Sequence, residues 1–254
     1  MQTALISGAG RGIGAAAARE LGRRGYHVVV NYLKSEATAA AVVADIVAAG
    51  GSAEAVQADV CDADQVAAMV ERLDRVDVLV CNANTVNPPF VPFEDLSWEV
   101  FAGKVNGELA GAYHLTQRVL RTMRAQRSGR IVYVSSTSAD KLGVIVAHSV
   151  AKSALNLYSQ HVAAYAGQFG IAVNTVSSGA VLTEATENVF NETLRTYLAE
   201  RSLFGRLLRP DDLARAIAAY TEPDVAVSGQ VIRADGGFGV LDQQLGGFQG
   251  QLGK

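Results

Sequence analysis

The sequence predicts an α/β fold: a doubly wound sheet of seven parallel strands with helices on both faces, built as a single domain over residues 1–254. Three observations carry that reading. Short, near-continuous apolar runs alternate with longer helical stretches, as expected for parallel strands covered on both sides. A glycine cluster, "SGAGRGIG" (7–14), stands between the first apolar run and the first helical stretch. Finally, 49% of the 254 residues are hydrophobic, which supports a large core at a length α/β folds commonly spend on one unit.

The elements follow in order. "TALIS" (3–7) is the first strand. A turn over 8–14 leads into a helix over 12–24, stopped near Gly25. "HVVVN" (27–31) is the second strand. "SEATAAAVVADIVAAGG" (35–51) reads as a helix with Ser35 as its cap and two glycines as its stop. "AEAVQAD" (53–59), "VDVLVCN" (76–82) and "GRIVYVSS" (129–136) are further strands, with helices over 62–73, 95–125 and 146–168. "IAVNTVS" (171–177) and "GQVIRAD" (229–235) complete the seven. Residues 184–210 mix Phe190, Leu194, Tyr197, Leu203 and Phe204 with charges, the composition of an amphipathic substrate lid over an apolar ligand. Residues 240–254 are rich in glycine and glutamine and form a C-terminal tail or docking arm.

Net charge is −3, and the 22 basic residues are scattered. No basic stripe points to nucleic acid or an anionic membrane, and no apolar run approaches the ~18–20 residues that span a bilayer. "MQTALISGAG" enters a strand directly, without the charged and apolar regions of a signal peptide, so a cytoplasmic location is expected. Cys61 and Cys81 fit a reducing compartment and read as small buried hydrophobes. Neither has metal-ligand spacing with the four histidines, so no metal site is expected.

The glycine turn carries the first chemistry. Small residues let the backbone approach a pyrophosphate, and a helix start offers free N–H groups and a positive dipole end. Strand, turn and helix in this order form a Rossmann-type dinucleotide signature, with Ser7, Gly8, Gly10, Arg11, Gly12, Ile13 and Gly14 as the binding set. The second strand chooses the cofactor. An acidic residue near its end would accept from the ribose 2′-hydroxyl of NAD. Here "VVVNYLKSE" offers Asn31, Lys34 and Ser35, with Arg11 nearby in the turn. Cations and a hydroxyl suit a 2′-phosphate, so the cofactor is expected to be NADP(H). In "QADV" (57–60), Asp59 and the Val60 backbone suit the adenine. In "CNAN" (81–84), Asn82 and Ala83 suit the adenosine side of the cleft.

Together, from about residue 2 to 240, these stretches resemble the short-chain dehydrogenase/reductase family. The glycine turn resembles its T-G-x-x-x-G-x-G, with Ser7 in the Thr place. "CNAN" is similar to its N-N-A-G, with Asn84 where glycine is usual. "KVNGELAGAYHLTQ" (104–117) places Asn106 at the catalytic Asn, "GRIVYVSS" places Ser136 at the catalytic Ser, and "HSVAK" (148–152) resembles Y-x-x-x-K, with His148 in the tyrosine place and Lys152 as the lysine. "VNTVSSGAVLT" (173–183) resembles V-N-x-V-x-P-G-x-x-x-T, with Ser178 in the proline place; the resemblance adds Gly179 and Thr183 to the cofactor set, at the nicotinamide carboxamide. The segment from Ser136 to Lys152 is about one residue shorter than the family pattern, which leaves Ser135 or Ser136 as the acting serine. Within the family, the chain looks most like the 3-oxoacyl and enoyl carrier-protein reductases.

The resemblance implies that tyrosine protonates the carbonyl oxygen, that lysine lowers the tyrosine pKa and holds the ribose, that serine orients the substrate, and that asparagine holds a water leading to the lysine. His148 changes this set. It shares a helix face with Lys152, four residues on, but imidazole reaches roughly 2 Å less far than phenol. A nearby ammonium disfavours the imidazolium, while neutral imidazole still donates one N–H to an oxyanion. The place used by a longer tyrosine spacing holds Ile145, Tyr158 lies past Lys152, and Tyr133 lies in the strand before Ser136 with its face undetermined. Three readings stay open: an NADPH-dependent reductase of a keto or enoyl group on an acyl-thioester or polyketide-like substrate, with His148 or water as donor; a pseudoenzyme subunit supporting an active homologue; and a non-redox catalyst of elimination or isomerisation. The expected partners are a small-molecule substrate, free or bound to a carrier protein or CoA, and further subunits. Resemblance implies a homodimer or homotetramer pairing through helices 95–125 and 146–168, or a hetero-oligomer with a homologous reductase.

Overall fold

The computed structural model describes residues 1–87, 91–141 and 145–241. Its strands are β1 (Thr3–Ile6), β2 (His27–Tyr32), β3 (Ser52–Gln57), β4 (Val78–Cys81), β5 (Gly129–Ser136), β6 (Ile171–Ser178) and β7 (Val231–Ala234). They form one seven-stranded sheet in the order β3-β2-β1-β4-β5-β6-β7, and every pairing is parallel. The strand order reverses between β1 and β4. A sheet of this kind opens its ligand crevice there, at the carboxyl ends of the strands.

The helices are α1 (Gly12–Arg23), α2 (Glu36–Ala48), α3 (Ala63–Glu71), α4 (Trp98–Gln126), α5 (Val146–Ala166), α6 (Glu192–Glu200), α7 (Pro210–Ala219) and α8 (Phe238–Leu241). Side chains alternate across the strands, so two cores form. On one face Ile6, Val28, Val30, Val80 and Val132 meet Leu21 of α1, Ile46 of α2 and Ile217 of α7. On the other, Leu5, Val29, Leu79, Ile131 and Tyr133 meet Met69 of α3, Leu115 and Val119 of α4, and Leu155 of α5. Both faces are covered, which is why the strands read as continuous apolar runs rather than alternating ones.

Several boundaries differ from the sequence reading for local reasons. The long helix begins at Trp98, not 95, because Ser97 caps it: its Oγ accepts from the Val100 N–H at 3.3 Å. The last strand starts at Val231 because Gly229 before it has a φ of +76°. Ser35 flanks α2, but its side chain makes no capping bond. Segment 184–210 contains α6, capped by Asn191 through the Leu194 N–H, and none of the α6 residues is fully buried. Most of the tail expected over 240–254 lies outside the described residues. Among the described residues, no helix is long and apolar enough to cross a membrane.

Candidate active site at the carboxyl ends of the strands

The glycine turn is a bare backbone cradle. Gly8 and Gly12 have φ of +62° and +55°, a region costly for residues with a Cβ. A Cβ on Gly14 would lie 2.4 Å from both Asn82 Nδ2 and the Gly8 carbonyl oxygen. The brace around this turn comes from the end of β4. Asn82 Nδ2 donates to the Ser7 and Gly8 carbonyls at 3.0 and 3.1 Å, while Ser7 Oγ accepts from the Asn82 and Ala83 N–H groups at 2.9 and 3.1 Å. The ends of β1 and β4 are thus stitched together at the switch point. Ile13 is half-buried behind the turn. A turn kept open by glycines at the start of a 12-residue helix fits a dinucleotide pyrophosphate.

Around the cradle the expected residues divide. Arg11, Lys34 and Ser35 are exposed at its rim. Gly10 abuts Thr38, whose Oγ1 donates to the Ser35 carbonyl at 3.0 Å, so the turn and the start of α2 are neighbours. The Asn31 side chain is a correction to the sequence reading. It is 2% exposed, its Oδ1 accepts from the Gly8 N–H at 3.3 Å, and its Nδ2 donates to the Val56 and Ala58 carbonyls at 3.4 and 3.1 Å. The pairing of β2 with β3 spends its polar atoms on backbone, making it a brace rather than a ligand contact. Asp59 turns one carboxylate oxygen onto the Cys61 N–H at 2.9 Å, and Val60 is buried. Thr183 lies against Gly12, its Cγ2 3.6 Å from where a Cβ would stand, and Gly179 packs on Asp235.

Lys152 is anchored at the end of β5. Its Nζ donates to Glu108 Oε1 at 2.5 Å and to the Val134 carbonyl at 2.9 Å. Glu108 Oε2 in turn accepts from Lys104 Nζ at 2.6 Å, and Lys104 also bonds Asn84 Oδ1. Asn106 does not belong to this group: it is exposed. Two residues on a helix stand about 200° apart, so its side chain lies on the opposite side from the partners of Lys152. The signal that finds Glu108 is the buried stripe of α4. Lys104, Glu108, Gly111, Ala112, Leu115, Thr116 and Val119 repeat at helical spacing, and extending the apolar part of that stripe backwards lands on the two charged residues.

His148 is half-buried one turn before Lys152. Burial pulls its imidazole from 6.5 down to about 4, the Lys152 and Lys104 ammoniums add to this, and Glu108 opposes it. It is therefore neutral throughout the neutral pH range. Ser136 is half-buried at the strand end, and its Oγ accepts from Ser138 Oγ at 2.9 Å. Ser135 is 3% exposed and shares the strand face of Tyr133, which leaves Ser136 the accessible serine. Tyr133 is fully buried, its hydroxyl 2.6 Å from Thr116 Oγ1 and its ring edge-on to Tyr158. Burial pushes the Tyr133 phenol well up and that of Tyr158 to about 12; Tyr133 lies in the core and Tyr158 packs against it. Cys81 is buried, its thiol pushed up to about 12 by desolvation, and Cys61 is half-buried.

A cavity of about 280 Å³ is lined among others by Thr137, Gly179, Leu194, Tyr197, Leu208 and Phe238. The Lys141 ammonium sits over the Phe238 ring at 4.0 Å, and Arg206 at the wall is held by Asp212 at 2.7 Å.

The family model described as enoyl-(acyl carrier protein) reductase matches residues 8–239. The chain is 39% identical to an L-rhamnose 1-dehydrogenase (NAD(P)(+)) of Azotobacter vinelandii, over 93% of this chain and 96% of that one. It is 35% identical to a 3-oxoacyl-[acyl-carrier-protein] reductase of Synechocystis, again over 93% and 96%. Its structure is similar to that of an actinorhodin polyketide ketoreductase with NADPH, with a TM-score of 0.86 and 28% identity over 94% of this chain and 97% of that one.

Proposed function

The chain belongs to the short-chain dehydrogenase/reductase family of oxidoreductases, and on that premise we propose that it reduces a keto or enoyl group of an acyl-thioester or polyketide-like substrate with NADPH. The observation that carries this reading is that a bare glycine cradle, an anchored Lys152 with His148 one turn before it, and a cavity of mixed apolar and charged lining that includes Thr137 all stand at the carboxyl ends of the strands.

NADPH supplies the hydride when it is bound. The turn over 7–14, braced by Asn82 and Ala83, holds the pyrophosphate. Arg11, Lys34 and Ser35 take the 2′-phosphate, and Asp59 and Val60 take the adenine. The N–H that Lys152 has left over takes a ribose hydroxyl, and Gly179 and Thr183 receive the carboxamide. At the substrate, the Ser136 hydroxyl orients the reacting oxygen. Neutral His148 donates one N–H to the developing oxyanion, and the Lys152 ammonium supplies a fixed positive charge beside it. His148 is not an imidazolium acid at neutral pH, so the proton that ends a ketone reduction comes from water, directly or through the imidazole, one ring nitrogen giving its proton as the other takes one. An enoyl substrate would take hydride at Cβ and asks that its enolate be stabilised until Cα takes a proton from water. Segment 184–210 acts as the lid, with Leu194 and Tyr197 on the cavity side. Exposed Tyr113 of α4 and Leu157 of α5 fit pairing into a homodimer or homotetramer. The rhamnose dehydrogenase likeness favours a second substrate class, the C1 hydroxyl of an aldose, oxidised by the same groups in reverse.

The test is cofactor turnover on 3-oxoacyl thioesters, enoyl thioesters and aldoses by wild type, Lys152→Ala and His148→Tyr. Wild type should turn over one class, and Lys152→Ala should lose that activity. An inert wild type whose His148→Tyr variant reduces ketones would overturn the reading in favour of a pseudoenzyme subunit.

A further inference from the structure

The α4 stripe buries a carboxylate between two ammoniums, an arrangement that core packing alone does not explain. Replacing buried ion pairs with well-packed apolar side chains is commonly neutral or stabilising. Two cations sharing one anion also leave a net positive charge out of water. Lys104 is fully buried and Glu108 nearly so.

We propose that Glu108 and Lys104 are positioning residues for Lys152, the inner links of a buried chain Asn84–Lys104–Glu108–Lys152 that fixes the Lys152 ammonium at the ribose site and ties it to the loop after β4. The inference rests on the nicotinamide reading above. Both carboxylate oxygens of Glu108 are engaged, Oε1 by Lys152 and Oε2 by Lys104, so the carboxylate cannot rotate without breaking a bond. Lys152 spends two of its three donors, on Glu108 and on the Val134 carbonyl, and the third is left in one direction. Lys104 is held from the other side by Asn84. Asn84 stands two residues after Asn82, the brace of the glycine turn. The cradle and the catalytic-end lysine are therefore two ends of one bonded path.

Among the described residues, the charges around this path are few. Glu108 is held below the usual carboxylate range by the Lys152 and Lys104 ammoniums against the cost of burial, and burial pulls the Lys104 ammonium down. His148 of α5 is neutral, and the Cys81 thiol of β4 and the nearby Cys61 thiol are both pushed up. Glu108 is thus the anion that sets the charge balance at Lys152.

The experiment is titration with NADPH, read by its fluorescence, from pH 7 to pH 10. The proteins are wild type, Glu108→Gln, and a Lys104→Leu/Glu108→Leu double variant that removes one buried charge of each sign and so guards against loss of fold in the single variant. Both variants should bind NADPH about tenfold more weakly at pH 7. The gap should widen as pH rises, because an ammonium without its carboxylate loses its proton sooner; damage to packing alone would not produce that widening. Asn84→Ala should weaken binding two- to threefold with no widening. Folded variants that match wild type at every pH would overturn the inference while leaving the nicotinamide reading intact. A wild type that binds no NADPH would overturn the reading itself.

Discussion

His148→Gln should make the protein less sensitive to mild acid. In the folded chain the imidazole is depressed from 6.5 to about 4 by burial and by the Lys152 and Lys104 ammoniums. The unfolded chain therefore takes up a proton there first, and stability is lost as pH falls from about 6.5 toward 4. Linkage between those two values gives about 2 kcal/mol lost between pH 7.5 and pH 5, and about 3 kcal/mol once both states are protonated. Glutamine at 148 has no proton to gain, and His27, His114 and His161 are common to both proteins. Urea unfolding of wild type and His148→Gln at pH 7.5 and pH 5 reads the difference. Wild type should lose about 2 kcal/mol more than the variant over that interval. Parallel losses, within about 0.5 kcal/mol of each other, would refute the buried, neutral imidazole.

Other substitutions separate cradle, cofactor choice and core. Gly14→Ala sets a methyl 2.4 Å from Asn82 Nδ2 and a backbone oxygen; it should cost about 3 kcal/mol in urea unfolding by overpacking and lost hydrogen bonds, and should weaken NADPH binding in calorimetry. Lys34→Asp should reduce affinity for NADPH at least tenfold while sparing NADH, and equal effects on both would remove Lys34 from the phosphate site. Tyr133→Phe should cost about 1 kcal/mol, the worth of its bond to Thr116, and leave kcat unchanged; a large fall in kcat would make that phenol a proton donor.

The fold was legible because parallel strands under two helical layers need near-continuous apolar runs, and "TALIS", "HVVVN" and "GRIVYVSS" carry them in their middles. The glycine turn was legible because only a backbone without Cβ atoms packs between Ser7 and Asn82. The placement of a candidate side chain was legible where it depends on its own helix or turn, as for Lys152 and His148, one turn apart on α5. It was less so where the role depends on a neighbouring element. Asn31 ends a strand like a ligand contact, yet the β2–β3 register and the Gly8 N–H claim its amide. Asn106 matched a motif letter, but the burial period of α4 runs through Lys104 and Glu108. Periodicity outranks letter identity there because facing is a matter of angle around the helix. Charged side chains at positions 104 and 108 of the α4 stripe are the sequence signal for the buried chain, a signal that the motif match to Asn106 passed over.

Hydride transfer supported by Lys152 can be followed by isotope. It is read by a single turnover with NADPH carrying deuterium at both C4 positions of the dihydronicotinamide, on the best substrate of the 3-oxoacyl and enoyl thioester panel. The product should be one mass unit heavier, with deuterium on the reduced carbon, when formed by wild type, and should not form with Lys152→Ala. A cofactor that binds but leaves no deuterium in any product, or a Lys152→Ala protein that transfers it as fast as wild type, would contradict it.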